Sequence, residues 1–237
     1  MRLNVTLPCL NEEKILPQTV AEVYGRLGED FPDGDWVLVA VDSGSTDGTR
    51  RVAEALLAEY PRLRLMKLDR QGKGLAVRSG WRAHPADVNV FIDADLVTDL
   101  AALKPLVEAV ENGADVALGS RYLPGSVVER SAWRRLFSLS YRLLFRLRLR
   151  LSVSDAACGF KAVNRRVLER IVPQVRSDLW FFDTELLARA SHAGFRLAEI
   201  PVQWRQENVK GRGSKVNVLR VSWQYLREVE RVRRELK

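Results

Sequence analysis

The amino-acid sequence predicts an α/β fold in which a mostly parallel sheet is flanked by helices. Short apolar runs alternate with stretches of helical periodicity through the first half of the chain, and polar or glycine-rich residues follow several of the runs. With 237 residues, 46% of them hydrophobic, the chain can bury a sizeable core. No internal repeat or low-complexity linker interrupts it, so we predict a single domain over residues 1–237.

The first half carries the regular alternation of strands and helices. Its predicted strands are Val5–Leu7, Trp36–Val41, Leu63–Leu68, Val88–Ile92 and Ala114–Leu118. Helices are predicted from the polar residues after Pro8 towards Leu27, and over Thr49–Tyr60, Gly74–Ala83 and about Leu100–Asn112. Ligands of such sheets bind outside the carboxyl ends of the strands, so the polar residues that follow each strand are the candidate site.

The second half is less regular. Its predicted elements are an amphipathic helix at about residues 130–151, helices over Arg165–Ile171 and Phe182–His192, a short strand over Glu199–Trp204 and a charged terminal helix over Val216–Leu236. The amphipathic segment interleaves arginines with aromatic and aliphatic residues, a composition that suits the headgroup layer of a membrane. An ordinary helix with one face on the core is the alternative.

Charge and cysteine content restrict the partners and the setting. Thirty-eight Lys and Arg against thirty Asp and Glu give a formal charge of +8, which favours anionic partners such as phosphorylated molecules, anionic lipid or nucleic acid. No nucleic-acid-binding module is recognisable, so we expect no nucleic-acid partner, and a basic nucleic-acid-binding protein is kept only as an alternative function. Two cysteines without a Cys-x-x-Cys pattern, and no signal peptide at the start, favour the cytoplasm. The arginines within the apolar stretch of residues 133–151 exclude it as a membrane span.

The Asp93-Ala94-Asp95 triplet is the sharpest chemical feature. It follows a predicted buried strand, and residues two apart in extended backbone point to the same side. Two adjacent carboxylates are costly unless a cation offsets them, and Mg²⁺ or Mn²⁺ prefers such oxygen ligands. The alternative is a loop in which one aspartate caps the next helix.

Two further turns follow predicted strands or precede helices. In the turn after Val41, Asp42 could accept hydrogen bonds from a nucleotide base, whereas Asp47 is placed to cap the following helix. Gly72-Lys73-Gly74 is not a Walker A loop, because the early glycine is missing and no Ser or Thr follows the lysine. We interpret it as a flexible basic turn near phosphates.

These motifs, taken in order, resemble those of family-2 glycosyltransferases of the Rossmann-like GT-A fold. The series is Pro8–Glu12, Asp42–Thr49, Gly72–Gly74, Asp93–Asp95, Gly119–Arg121, Asp155–Lys161, Phe182–Leu186 and Gly213–Lys215. Its second half is similar to the polyprenyl-phosphate branch, which includes dolichyl-phosphate glucose and mannose synthases. The resemblance covers about residues 3–220.

The resemblance implies a role for each matching residue. Donor binding would involve Pro8, Asn11, Glu12, Asp42, Lys73 and Asp93, with Ser214 and Lys215 on a mobile segment that closes over the donor. Asp93 and Asp95 would hold Mg²⁺ or Mn²⁺. The acceptor residues would be Arg121, Arg130, Arg134, Asp155 and Lys161, and the catalytic group would be Asp95, Arg121, Asp183 and Glu185. Residues 1–120 would form the nucleotide-sugar half and residues 121–237 the acceptor half.

Three positions depart from the family pattern. Ser43 replaces a second aspartate that often follows the first, and Ala156-Ala157 replaces the commoner Thr-Gln before Cys158. Val97 stands where relatives of the mannose branch often have glutamine, and it cannot bind a metal. Metal binding would then rest on one or two carboxylates, donor oxygens and water.

The resemblance therefore implies an inverting transferase that moves glucose or mannose from a UDP- or GDP-sugar to a polyprenyl or dolichyl phosphate. We expect it at the cytoplasmic face of a membrane, bound peripherally to the anionic surface or with the help of a membrane-protein partner. A family-2 enzyme that glycosylates a sugar hydroxyl is the alternative. That reaction needs a general base, for which Asp183 or Glu185 would be a candidate.

Overall fold

The computed structural model describes residues 1–128, 142–204 and 218–237. The strands are β1 Arg2–Cys9, β2 Asp35–Ser43, β3 Leu63–Leu68, β4 Val88–Ile92, β5 Val116–Ser120, β6 Val127–Val128, β7 Phe160–Asn164, β8 Leu197–Pro201 and β9 Gln203–Trp204. The helices are α1 Leu16–Asp30, α2 Thr49–Leu56, α3 Lys73–Ala83, α4 Leu103–Glu111, α5 at residues 142–149, α6 Arg165–Arg170, α7 Phe182–His192 and α8 Val218–Glu235.

A seven-stranded sheet with the order β3-β2-β1-β4-β7-β5-β8 organises the molecule. Every neighbouring pair is parallel except those of β7, which runs antiparallel to both β4 and β5. The short strands β6 and β9 form a separate parallel pair. The predicted mostly parallel α/β fold is therefore confirmed. Because β7 belongs to the second half of the sequence and lies between two strands of the first, one sheet joins the two halves.

The sheet is buried on both faces, as the alternation along β4 illustrates. Val90 packs in a cluster with α1 and α4, whereas its neighbour Phe91 packs with α3 and α7 on the opposite face. Helix α8 contributes Val229 and Val232 to the second cluster. Residues buried on both faces read as continuous apolar runs, which is why these strands were predictable.

Some boundaries differ from the predicted ones. Strand β7 was not predicted, since the sequence around it was interpreted only through its polar motif. Helix α2 ends at Leu56, and a turn replaces the predicted extension to Tyr60. The single strand predicted over Glu199–Trp204 is two strands, because β8 pairs with β5 whereas β9 pairs with β6.

The predicted amphipathic helix lies partly outside the described residues, which exclude residues 129–141. Its described part, α5, buries Phe145 and Leu149 in the core, whereas Leu143 and Leu147 are 57% and 68% exposed. This stretch is thus a core-packed helix that also presents leucines to solvent. Among the described residues, we find no helix with both the length and the apolar character that crossing a membrane requires.

Candidate active site

The turn after β4 presents the two predicted metal-binding carboxylates. Asp93 donates its backbone N–H to the Gly159 carbonyl at 3.0 Å, and Leu96 N–H closes the turn on the Asp93 carbonyl at 3.2 Å. Leu96 has a φ of +46°, an unfavourable value for a branched residue, of the kind found at functional sites. Asp93 is half-buried and Asp95 is exposed. Burial, together with the charges of Asp183 and Asp95, raises the pKa of the Asp93 carboxyl although Lys73 opposes the shift.

A buried row of alternating charges extends from Asp93. The Lys73 ammonium lies 2.9 Å from Asp93 Oδ1 and 3.0 Å from Asp183 Oδ2. The fully buried Lys161 ammonium lies 2.6 Å from Asp183 Oδ1 and also donates to the Cys158 carbonyl. Burial alone would raise the pKa of Asp183, but the two lysines outweigh it and lower that pKa. Similarly, Asp183 and Asp93 raise the pKa of Lys73 against the effect of burial.

Four of the predicted site residues are thereby brought together at the carboxyl end of β4. Two lysines and two aspartates balance in charge, which offsets the cost of burying each of them. The structure also corrects our interpretation of Gly72-Lys73-Gly74 as a flexible turn. Lys73 is the first residue of α3 and only 7% of its side chain is exposed.

Gly159 allows Asp93 to occupy its position. A Cβ atom at Gly159 would overlap the Asp93 carboxylate, so no other residue fits there without displacing it. The sequence offered no independent indication of this contact, because the two residues are brought together only by the pairing of β4 with β7.

The predicted nucleotide-binding residues Pro8, Asn11, Glu12 and Asp42 lie at the ends of β1 and β2 and in the loop after β1, which is hydrogen-bonded to the loop after β2. Asn11 Oδ1 accepts from Thr46 N–H at 2.8 Å, and Glu12 N–H donates to Thr49 Oγ1 at 2.8 Å. Asp42 is buried, and its carboxylate accepts from Arg50 Nε at 2.9 Å and from Ser45 N–H at 3.0 Å.

These two loops thus form a preorganised edge beside β1 and β2. Pro8 lies near the end of β1 and is half-buried. Asp47 Oδ1 accepts from Thr49 N–H at 3.0 Å, at the start of α2 where we predicted a cap. A carboxylate oxygen has two lone pairs, so Asp42 can accept a further donor besides those it already has.

Arg121 and Asp155 form a bidentate pair at the opposite edge. Arg121 Nε lies 2.6 Å from Asp155 Oδ2, and its Nη2 lies 2.7 Å from Oδ1. The guanidinium also lies over the Trp204 ring, 5.8 Å from its centroid. Burial opposes the charge of Arg121, but Asp155 outweighs it and raises the arginine pKa. One side of the guanidinium fork is occupied, and Nη1 makes no hydrogen bond to any residue that the structure describes.

Glu185 makes no contact with this group, although we predicted it as a catalytic residue together with Asp183. Residues two apart on a helix face different directions. Glu185 is fully buried, accepts from Ser177 N–H at 2.9 Å and pairs with Arg189 at 2.7 Å and with Arg231 of α8 at 2.8 Å. Its contacts connect α7 to α8, and none of them is with the Asp93 row. The predicted residues Arg130, Arg134, Ser214 and Lys215 lie outside the described residues.

Comparison with known proteins identifies the family. Residues 5–172 match the family model described as Glycosyl transferase family 2. The chain belongs to glycosyltransferase family 2. The family predicted from the motifs is confirmed, and with it the class of enzyme.

Relatives of this family-2 chain are similar over most of its length. It is 37% identical to glycosyltransferase AglD of Haloferax volcanii over 94% of the chain, yet spans only 37% of that protein. It is 34% identical to polyprenol monophosphomannose synthase of Mycolicibacterium smegmatis, covering 88% of the chain and 79% of the relative. It is 29% identical to dolichyl-phosphate beta-glucosyltransferase of Saccharomyces cerevisiae, covering 86% and 67%. The predicted similarity to the polyprenyl-phosphate branch is confirmed.

Solved structures share the GT-A fold with this chain. Glucosyl-3-phosphoglycerate synthase from Mycobacterium tuberculosis, in complex with UDP, superimposes with a TM-score of 0.70 at 22% identity, covering 98% of the chain and 80% of that protein. The mannosyltransferase PcManGT from Pyrobaculum calidifontis, in complex with GDP-Man and Mn²⁺, gives a TM-score of 0.60 at 23% identity, covering 90% and 58%.

Proposed function

We propose that the chain transfers glucose or mannose from a UDP- or GDP-linked donor to a polyprenyl or dolichyl phosphate, with inversion at the anomeric carbon. The observation that carries this proposal is the state of Asp183. Two lysine ammonium groups hold its carboxylate and lower its pKa, so it is a weak proton acceptor. A sugar hydroxyl needs a base, whereas a phosphate monoester has a second pKa near 6 and is already largely a dianion at neutral pH.

The rival acceptor, a sugar hydroxyl, is therefore less well served by this site. Its other candidate base, Glu185, is held by Arg189 and Arg231 and makes no contact with the Asp93 row. The names of the polyprenol- and dolichyl-phosphate relatives support the same choice. Glucosyl and mannosyl enzymes both occur among these relatives, so the proposal includes both hexoses and both nucleotides.

In this reaction, the chain's residues align two anionic groups and screen their repulsion. Lys73 neutralises Asp93 at the donor side and lies within reach of a diphosphate there. Arg121, fixed by Asp155, offers its remaining N–H groups to the acceptor phosphate, a geometry that suits an arginine fork. Lys161 pairs with Asp183 and fixes the position of its carboxylate. Arg130 and Arg134, which we also assign to the acceptor, would add positive charge.

A divalent metal fits the residues of the turn after β4. Asp93 and Asp95 offer hard oxygen ligands. The described parts of the chain contain no cluster of three acidic, histidine or cysteine side chains, so the remaining ligands would come from the donor and from water. Mg²⁺ and similar ions are commonly held by one or two carboxylates together with substrate phosphates and water. When bound, the metal would neutralise the charge that develops on the leaving diphosphate. Mn²⁺ accompanies GDP-Man in the PcManGT structure, which supports this assignment.

The nucleoside would lie along the ends of β1 and β2 and the joined loops that follow them, against Pro8, Asn11, Glu12 and Asp42. Ser214 and Lys215 would belong to the segment that closes over the donor. In this arrangement, residues 1–120 supply the donor side and residues 121–237 the acceptor side, as the resemblance implies. Both sides meet at β7, whose Lys161 reaches the charge row.

The acceptor's lipid chain requires a membrane, and α5 is the surface that we assign to it. Leu143 and Leu147 are exposed there beside the exposed Arg146 and Arg150. Arginines on lipid phosphates and leucines in the acyl boundary would hold the enzyme peripherally at the cytoplasmic face. A membrane-protein partner could add to this attachment.

The test is direct transfer with purified protein. The protein is incubated with a panel of UDP- and GDP-hexoses, a short, water-soluble polyprenyl phosphate and Mn²⁺ or Mg²⁺, and the products are identified by mass spectrometry. We expect wild-type protein to form one glycosyl-phosphate product. In Asp95→Asn, the rate of its formation should fall by about a hundredfold or more, because a metal ligand loses its charge. Asp33→Asn, a change at an exposed aspartate in another turn, should leave the rate unchanged. Transfer to sugar hydroxyls but not to polyprenyl phosphate would favour the rival.

A further inference from the structure

The loop at residues 175–181 is fixed against the start of α3. Arg78 of α3 donates to the Val175 and Ser177 carbonyls and pairs with Asp178. Leu75 N–H donates to the Asp178 carbonyl at 3.1 Å.

The glycines on either side of Lys73 make this close approach feasible. A Cβ atom at Gly72 would lie 2.6 Å from the Asp178 carbonyl oxygen, and one at Gly74 would lie 2.6 Å from that of Ser177. These hydrogen bonds and close backbone contacts with α3 fix the backbone of the loop, and they therefore also fix the positions from which its side chains project.

Trp180 projects from this loop beside the charge row. Its ring centroid lies 5.3 Å from the Lys73 ammonium, and Phe91 lies 5.0 Å from the same group. Phe181 and Phe182, which follow, are buried in the core, whereas Trp180 is 52% exposed. An ammonium ion attracted to an aromatic face orients the ring. A large aromatic surface is thus held in place yet left open to solvent.

We infer that Trp180 forms the wall of the donor's sugar subsite and packs against the hexose ring. This inference rests on the proposed function. The Lys73 ammonium lies between the Trp180 ring and Asp93, and it contacts both. Asp93 is one of the two carboxylates that we assign to the metal and the donor diphosphate. The Trp180 ring is therefore separated by a single side chain from the diphosphate to which the sugar is attached. Ligand pockets combine aromatic walls with a few polar groups, and here Asp183 and Lys73 are the polar groups. Leaving half of a tryptophan exposed gives up apolar burial, which a bound sugar would recover.

The test separates the sugar from the rest of the donor. Dissociation constants are measured by calorimetry, with Mn²⁺ present, for a nucleotide sugar that the wild-type protein binds and for its nucleoside diphosphate. In Trp180→Ala we expect binding of the nucleotide sugar to weaken by about tenfold, the size of one aromatic contact, and binding of the nucleoside diphosphate to change less than about twofold. Trp180→Phe, which keeps an aromatic face, should retain most of the affinity for the nucleotide sugar.

Leu179→Ala is the matched control, because Leu179 is the adjacent exposed apolar residue of the same loop. It should leave both dissociation constants unchanged, and thermal unfolding checks that each variant is folded. Equal weakening of both ligands, or no weakening of either, overturns the inference. Loss of vesicle binding in Trp180→Ala, with donor binding intact, would assign the residue to the membrane instead. These experiments measure donor binding, so they test the role of Trp180 even if no sugar is transferred to a polyprenyl phosphate. The absence of transfer would contradict the proposed function instead.

Discussion

Asp93 is positioned by residues that come from two other parts of the chain. Lys73 at the start of α3 pairs with one carboxylate oxygen, Gly159 leaves room for the other, and the Gly159 carbonyl accepts from the Asp93 backbone. A carboxylate fixed in this way can bind a metal without first being ordered, so less binding free energy is lost.

We therefore expect the absence of a side chain at Gly159 to matter for activity. We predict that Gly159→Ala lowers kcat/KM by about a hundredfold, because a methyl group there displaces Asp93 and such misplacements cost this much. The assay is donor turnover, with the Mn²⁺ concentration for half-maximal rate measured alongside. Gly25→Ala is the control: a Cβ there meets no atom within 4 Å, and it should stabilise α1 by about 0.5–1 kcal/mol. An unchanged rate and Mn²⁺ dependence in Gly159→Ala would show that Asp93 is not a metal ligand.

The sequence predicted the components of this site but not their pairing. Asp93 and Asp95 stood out because they follow a continuous apolar run, and that local pattern is sufficient. The contacts of Lys73 with Asp183 and of Gly159 with Asp93 depend on which strands and helices become neighbours, and β7 was not predicted. Trp180 was missed for the same reason, since nothing in the local pattern distinguishes an exposed tryptophan from a core one.

Among the elements, the described part of α8 is attached to the domain through both charged groups and apolar side chains. Glu185 of α7 accepts hydrogen bonds from Arg231 and Arg189, and Glu235 of α8 pairs with Arg189 and with Arg176. Only Val229 and Val232 of its described side chains enter the core as buried residues. The terminal helix was predicted from its charge pattern, but a solvated helix and a docked one look alike in sequence when the partners are distant arginines and glutamates.

Glu185 should therefore matter for stability more than for chemistry. We predict that Glu185→Gln lowers the free energy of unfolding by about 3 kcal/mol at pH 7, the cost of breaking a buried ion pair. Burial raises the pKa of Glu185, but Arg231 and Arg189 outweigh it and lower the pKa below its ordinary value of 4.5. A lowered folded-state pKa gives stability that is present above pH 4.5 and is lost as the pH falls through the folded-state value.

The difference between wild type and Glu185→Gln should accordingly shrink at acid pH. Urea unfolding at a series of pH values from 7 downward measures it, with Glu59→Gln, a change at an exposed glutamate, as the control that should have no effect. In the folded variant, kcat/KM should fall less than about threefold, since Glu185 does not reach the Asp93 row. A large loss of kcat at full stability would instead make Glu185 a catalytic base.

At the scale of the whole molecule, one sheet carries both sides of the site. Strand β7 brings Lys161 between β4 and β5, so the residues that we assign to the donor and to the acceptor are positioned by the same layer of strands. Two described surfaces of the molecule differ in polarity. The carboxyl edge of the sheet holds the paired lysines and aspartates, whereas α5 exposes Leu143 and Leu147 to solvent. Helix α5 is also tied to α8, through Arg148 and Glu230 at 2.6 Å.

The exposed face of α5 gives a prediction about where the whole enzyme works. We expect wild-type protein to co-sediment with anionic vesicles and to be released by salt, because arginine contacts with lipid contribute about 1 kcal/mol each and are screened. Replacing both Leu143 and Leu147 with Ser should weaken vesicle binding about tenfold or more, since burying each leucine is worth about 1.5–3 kcal/mol. That double variant should lose activity on vesicle-borne polyprenyl phosphate yet keep its rate on a short, soluble one. Leu57→Ser, a change at an exposed leucine that follows α2, should affect neither. If wild-type protein ignores anionic vesicles, or if the double variant is equally impaired on both acceptors, α5 is only a structural helix.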